Sequence, residues 1–424
     1  MKHYSGSKLE NGLTVITSED KNSEVVLLMA GFKAGSRYEK KNERGYAHLL
    51  EHVLLKGTKK RPSITKVGEI TDQAGADLGA YTDMESVVVR LHAAKEWREG
   101  MFELLLDVIG NPLFSTETLK NEKNIVIQEL HKFRDNRGPR LWSESLKRLF
   151  GSHPLAQNPI GEEEVICHVT SAKLKSYYER FLTPDRGVII ATGNVSHAEI
   201  VKWVSQYGKP KWMQSRGAST PLISVHPKSG TEFIKEPGNQ TQLFFNFVCP
   251  ALTLNKLLTL ELIANAFGYG NVPILKQDLR HKRGLVYAIS SYVQRFQDVV
   301  LFYVSTASTE PKEVVEAVVK IFENFLDTFP ESRFEEFKKK YKSVFLRKLS
   351  DPFYEANLLK DSWMFYGRLV TPEEISQNIE SLTYHDVVNM RNRYLINEKL
   401  FITMFGERNP EIKLSGQRQF TSHS

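Results

Sequence analysis

Two stretches of this chain repeat each other at one constant offset, and the repeat restricts the architecture more than any local propensity does. TSAKLKSYYERFLTPDRGVIIATGN, from Thr170, superposes on TYHDVVNMRNRYLINEKLFITMFGE, from Thr383. Thr170 falls on Thr383, Arg180 on Arg393 and Gly193 on Gly406. Each copy predicts an amphipathic helix, a break, and a short apolar strand ending in Gly. Upstream of each lies a second matching pair, MFELLLDVIGNPLFSTETLKNEKNIVIQELHKF and VVEAVVKIFENFLDTFPESRFEEFKKKYKSVFLRKL, both reading as helix, Pro-containing turn, helix. Two matches in the same order predict a duplicated plan: an α+β fold of two similar units, each a mixed, mostly antiparallel sheet covered by helices. The Pro-, Ser- and Gly-rich stretch PKWMQSRGASTPLISVHPKSG is the natural linker, which gives domains 1–217 and 218–424.

A chain of 424 residues is also too long for one ordinary core, which agrees with two large units. Within the first, LENGLTVITSE and VVLLMAGFKAGS predict strands, with Asn11-Gly12 as a turn signal. SITKVGEITDQAG predicts a helix, and LGAYTDMES and VVVRLHAA follow with strand periodicity. In the second, QTQLFFNFVCP, GLVYAISSYVQRF and VVLFYVSTAS supply the strands.

Composition removes several function classes. Hydrophobic residues make up 41% and charged residues 25%, an ordinary globular balance rather than that of a disordered chain. No window approaches the roughly 18 apolar residues of a membrane span, and MKHYSGSKLENGLTVITSED has no apolar core of a signal peptide, so the expectation is a cytoplasmic protein. Cys167 and Cys249 stand far apart, which argues against a disulfide framework and against zinc held by cysteine, and leaves two inert thiols. The net charge of +7 is spread through amphipathic stretches such as FEEFKKKYKSVFLRKL and comes with no nucleic-acid motif. It reads as solvated helix faces, and neither nucleic acid nor membrane is expected as a partner.

The chemistry concentrates in GYAHLLEHVLLKGT, a helical segment with Gly57 as its stop signal. His48 and His52, four apart, project from one helix face, and Glu51 shares it. This is the HxxEH order of the inverted zincins. Two neutral imidazoles and a carboxylate suit a catalytic zinc, one per chain, with a position left for water. The best third ligand is Glu129 in the helical run LKNEKNIVIQELHKF, with Glu122 two turns earlier on the same stripe to orient a histidine from behind. Glu51 then remains free as general base. A structural helix with paired solvent histidines is the alternative, but AHLLEHVLL is an apolar setting in which unpaired polar groups are costly.

At these residues the chain resembles the pitrilysin-type metallopeptidases, which include the mitochondrial processing peptidase and insulin-degrading enzyme. The resemblance runs through LENGLTVI, AGSRYEKKNERGYAHLLEHVLLKGTKKRP, GAYTDMES, NEKNIVIQEL, LRHKRGLVYAISS and LFITMFG. It implies a zinc endopeptidase with ligands His48, His52 and Glu129, Glu51 as general base and Glu122 in support. It further implies that Arg280 and Tyr287, seven apart, bind substrate and steady the tetrahedral intermediate within a closed chamber. An arginine fork and a phenol are suitable donors to a carbonyl oxygen acquiring charge. Peptide is expected to add as a strand beside Gly79, Ala80, Tyr81 and Thr82, although relatives commonly carry Asn where this chain has Gly79.

Larger members hold four such units and this chain has two, so the resemblance implies pairing. Some short relatives divide labour between a zinc subunit and a partner with the Arg and Tyr, whereas this chain carries both sets, which makes a homodimer the economical expectation. A closed chamber limits substrates to peptides and unfolded segments. The competing reading is a non-catalytic relative, a scaffold or a peptide-binding module, which metal content and hydrolysis would separate from an enzyme.

Overall fold

Alternating and continuous apolar runs form two sheets of closely similar plan. The computed structural model describes residues 2–208, 210–217, 220, 222–412 and 419–421. In the first unit the strands are β1 (His3–Lys8), β2 (Thr14–Glu19), β3 (Val25–Phe32), β4 (Asp77–Thr82), β5 (Val87–Ala94) and β6 (Gly187–Gly193). In the second they are β7 (Gly230–Lys235), β8 (Thr241–Pro250), β9 (Ile289–Arg295), β10 (Val299–Ser308), β11 (Leu400–Gly406) and β12 (Gln419–Thr421).

The first sheet runs β1-β2-β6-β3-β5-β4 and the second β12-β7-β11-β8-β10-β9. β2 pairs with β6 in parallel, and β7 with β11 likewise. From there outward each sheet is antiparallel to its far edge, which is β4 in one and β9 in the other. The repeat seen in the sequence is therefore a repeat of topology, with Gly193 and Gly406 closing equivalent strands. The fold is α+β with two mixed, mostly antiparallel sheets covered by helices. Central strands such as VVLLMAGF are buried on both faces because helices lie on both sides, which explains their unbroken apolar run.

The units are not continuous segments. One comprises Met1–Arg137, Gln157–Pro221 and Lys348–Thr371, and the other Gly138–Ala156, Leu222–Arg347 and Pro372–Ser424. The Pro352–Tyr366 helix, from the second half of the sequence, thus belongs to the first unit, where it packs on β6 and β3. Leu359, Ala356 and Trp363 join Met29, Val188 and Ile190 in one buried cluster. Most of the Arg137–Phe150 helix belongs to the second unit, where Trp142 stacks on Tyr303 at 4.0 Å and Ser145 bonds Thr403 at 2.6 Å. The expected boundary at residue 217 falls inside the expected linker, whose residues 218, 219 and 221 lie outside the described ones. Upstream of it Trp212 is buried and donates from Nε1 to the Leu182 carbonyl at 2.8 Å.

One expected strand is shorter than the sequence suggested. GLVYAISSYVQRF contributes only Ile289–Arg295 to the sheet. The residues before it form a π-helix, Lys276–Lys282, the Leu285 amide turns back to the Leu279 carbonyl at 2.8 Å, and pairing with β10 begins only at Ile289. Of the two free thiols, Cys249 is buried and Cys167 is exposed, so only the former has the inert setting expected of both. No helix among the described residues is long and apolar enough to cross a membrane.

Candidate metal centre

The segment YAHLLEHVL forms the Tyr46–Leu54 helix, and its amphipathicity decides what each residue does. Leu49, Leu50, Val53 and Leu54 turn into the core, while His48, Glu51 and His52 lie half-buried on the other side. The helix starts at Gly45 in a left-handed conformation (φ 98°), where a Cβ would meet Ile160 O at 3.0 Å and Gly161 Cα at 3.1 Å. Only glycine fits such a crossing. The start is fixed from a distance as well: the buried Glu39 carboxyl accepts from the Gly45 amide at 3.0 Å and the Ala47 amide at 2.8 Å. An acidic group on the otherwise orphaned amides of a first turn is a favourable cap. Burial nonetheless pushes the Glu39 carboxyl up to about 8, against the pull of these N–H donors. Nothing in the sequence marked Glu39, because its partner amides become neighbours only once the intervening loop folds.

The Thr116–Asp135 helix, capped by Ser115, lies beside this one and brings the distant acids in. Glu129 Oε2 stands 3.4 Å from His48 Nε2 and 3.5 Å from His52 Nε2. One ligand atom from each of the three residues lies within 4.8 Å of the others, and the two rings meet edge to face with centroids 4.8 Å apart. Donors held about 2.0–2.1 Å from a tetrahedral zinc stand roughly 3.3–3.4 Å from one another, and the two distances from Glu129 to the histidines match that spacing. Glu122, two turns away and buried, accepts from His52 Nδ1–H at 3.1 Å, which leaves Nε2 as the free lone pair on the Glu129 side.

The electrostatics agree with ligation. Burial, and then the neighbouring His52, push the His48 imidazole down to about 4, so it is neutral near pH 7 and can donate a lone pair. Burial raises the Glu51 carboxyl above its ordinary value, against the pull of a hydrogen bond from Thr82 and of His52. A carboxyl with its ionisation shifted upward beside a metal-type donor set suits proton transfer. Glu129 is the most open of the three candidate ligands, at 44% side-chain exposure against 13% and 14% for the histidines, so the centre opens on its side.

Gly79, Ala80, Tyr81 and Thr82 lie on β4, the outermost strand of the sheet, whose inner edge pairs with β5 in the register Gly79 to Arg90 and Thr82 to Val87. The Thr82 hydroxyl donates to the Ala47 carbonyl at 3.5 Å, which links this edge strand to the Tyr46–Leu54 helix. The Tyr81 hydroxyl donates to Asn357 Oδ1 at 2.5 Å, and Lys360 Nζ lies 5.8 Å from its ring, so the Pro352–Tyr366 helix anchors the strand from below. In the second unit, Arg280 leaves the π-helix with its guanidinium 5.1 Å from the Tyr287 ring centroid, and Tyr287 is 79% exposed. The structure therefore brings the three candidate ligands together with Glu51 and Glu122 in one unit, and Arg280 together with Tyr287 in the other.

Residues 14–161 match the family described as insulinase (peptidase family M16), and residues 168–341 match the peptidase M16 inactive domain. The chain belongs to peptidase family M16. An uncharacterized zinc protease of Rickettsia felis is 26% identical over 395 residues, covering 92% of this chain and 95% of that protein. An uncharacterized zinc protease of Bacillus subtilis is 24% identical over 397 residues, covering 92% and 95%. A probable mitochondrial-processing peptidase subunit beta of Schizosaccharomyces pombe is 31% identical over 199 residues, 47% of this chain and 43% of that one. Among solved structures, a peptidase M16 inactive domain from Pseudomonas fluorescens superposes with TM-score 0.85 at 22% identity, covering 97% of this chain and all of that one. A protease from Helicobacter pylori gives TM-score 0.83 at 18% identity over 96% of this chain. These structures share the fold. The metal-site helix and both acids lie within the insulinase match, and Arg280 and Tyr287 lie within the second.

Proposed function

We propose that the protein is a zinc-dependent endopeptidase acting on peptides and unfolded polypeptide segments. The observation that carries this reading is the convergence of Glu129 with His48 and His52, whose helix face Glu51 shares. One zinc per chain would be held by those three residues, and when bound it supplies a Lewis acid that activates water and polarises the scissile carbonyl. Glu51 takes a proton from the attacking water and passes it to the leaving amine. Glu122 holds His52 in the tautomer that exposes Nε2. The open edge of β4 at Gly79, Ala80, Tyr81 and Thr82 takes the substrate as an added strand, which gives affinity through main-chain bonds and little sequence preference.

Arg280 and Tyr287 are assigned to substrate binding and to donating hydrogen bonds to the carbonyl oxygen as it gains charge. We further propose a homodimer in which these two residues of one copy complete the metal centre of the other, in the cytoplasm, without nucleic-acid or membrane partners. The pairing of Arg280 with an exposed Tyr287 supports an interaction surface there.

Cleavage of a quenched peptide library, alongside metal analysis, tests the reading. Activity should vanish with a chelator and return with one equivalent of zinc. Glu51→Gln should keep its zinc and lose about 10²–10⁴-fold in rate, the usual contribution of a positioned general base. Undiminished cleavage by Glu51→Gln overturns the mechanism. Absence of both zinc and cleavage in the native protein favours the scaffold reading.

A further inference from the structure

The two candidate histidine ligands are not supported alike. His52 Nδ1 donates to Glu122, whereas His48 Nδ1 is buried without a hydrogen-bond partner among the described residues. The His52 side has a third member. Lys56 Nζ lies 3.2 Å from Glu122 Oε1, so one carboxylate is gripped at both oxygens, by a lysine and by the histidine. Glu122 is buried, at 6% side-chain exposure, and Lys56 is only 23% exposed, so the contact is shielded from solvent far more than a surface pair.

Lys56 is delivered to this place by a built turn. Its amide donates to Val53 O at 3.1 Å, just past the end of the Tyr46–Leu54 helix. Gly57 follows at φ +142°, where a Cβ would press on Arg61 O and Ser63 N at 3.0 Å each. The next residue, Thr58, bonds Asp107 at 2.5 Å, and Arg61 bonds Asp107 at 2.6 Å, both within the core. The turn is therefore rigid on the far side of Lys56 as well as on the helix side.

We infer that Lys56 is a positioning residue for the metal centre: it fixes the Glu122 carboxylate so that Oε2 stays aimed at His52 Nδ1 and Nε2 stays aimed at the ion. The relay Lys56–Glu122–His52 makes His52 the preorganised ligand, while His48 Nδ1 has no such partner among the described residues. This rests on the zinc reading above and extends it by one residue that touches neither metal nor substrate. Outer-sphere partners of metal-binding histidines typically govern about 10–100-fold in metal affinity.

The experiment measures zinc affinity of the full-length apo protein by competition with a chromogenic chelator, for the native chain, Lys56→Met, Lys56→Arg, Glu122→Gln and the Lys56→Met/Glu122→Gln double variant. Apo thermal melting is recorded for each, and melting without zinc reports any purely structural role. Lys56→Met should weaken zinc binding by about 10-fold or more, Lys56→Arg should restore most of it, and Lys56→Met should add nothing once Glu122→Gln is present. Native affinity in Lys56→Met, or a full additional loss in the double variant, overturns the relay. So does a loss of affinity matched by collapse of apo melting that Lys56→Arg fails to rescue. If the native chain itself binds no zinc, the function reading fails and the relay falls with it, a result separate from the others.

Discussion

Leu359→Ala probes how the first unit is held together, because the residue comes from the second half of the sequence yet is fully buried against the first sheet. Three carbons leave the core. At about 0.8 kcal/mol per methylene the transfer loss is roughly 2.4 kcal/mol. Close packing by Met29, Val188, Ile190 and Trp363 allows little collapse, and a cavity term brings the total to about 3–4 kcal/mol. Native-state hydrogen exchange read by mass spectrometry locates the loss. Amides of β3 and β6, on which the Pro352–Tyr366 helix packs, should lose protection by roughly 10²-fold or more, since about 1.4 kcal/mol is a factor of ten. β8 and β10 should keep theirs. Phe322→Ala, at a buried position of the second unit, serves as the reverse control. Loss of protection in β8 and β10 instead of β3 and β6 after Leu359→Ala would refute the assignment of this helix to the first unit.

With burial pushing Cys249 up to about 12, alkylation at pH 8 should label Cys167 alone, and both thiols only after denaturation; early double labelling counts against a closed second core. The Glu39 carboxyl stays protonated up to about 8 when folded but ionises near 4.5 when unfolded, so the stability it contributes is complete below about 4.5 and is lost as pH rises through 8. Glu39→Gln should therefore flatten the dependence of melting temperature on pH between those values, and an unchanged profile would contradict the shift. Glu39→Ala strands two buried amides and should cost about 1–3 kcal/mol per amide, weakening zinc binding through the loosened helix start. Arg280→Ala and Tyr287→Phe should lower turnover with zinc content unchanged, and loss of zinc in either would move them out of the substrate-binding role.

Much of the fold was legible because its periodicities are local. Most strands of both halves, though not β7 or β12, carry their own signals in spacing and in turn residues, as do the Ser63-capped Ile64–Gln73 helix and the helix pairs around Pro112 and Pro330. β1 was missed because HYSGSK is polar and sits at a sheet edge, where one side faces solvent and no apolar alternation is needed. The π-helix before β9 was missed because its wider turn leaves no familiar repeat in KQDLRHK.

The sequence by itself determined the side chains that can act: helical geometry puts His48, Glu51 and His52 on one face whatever the rest of the chain does. It also determined that the plan occurs twice. The shared helix stripe and the resemblance nominated Glu129 and Glu122, but only tertiary structure set them against those histidines, made Glu39 cap their helix, brought Lys56 to Glu122, and built the first unit with one helix of the second half. The physical reason is range. Periodicity records what a residue's neighbours three or four places away require, whereas a contact between residues 52 and 122 depends on packing and register that no local pattern encodes.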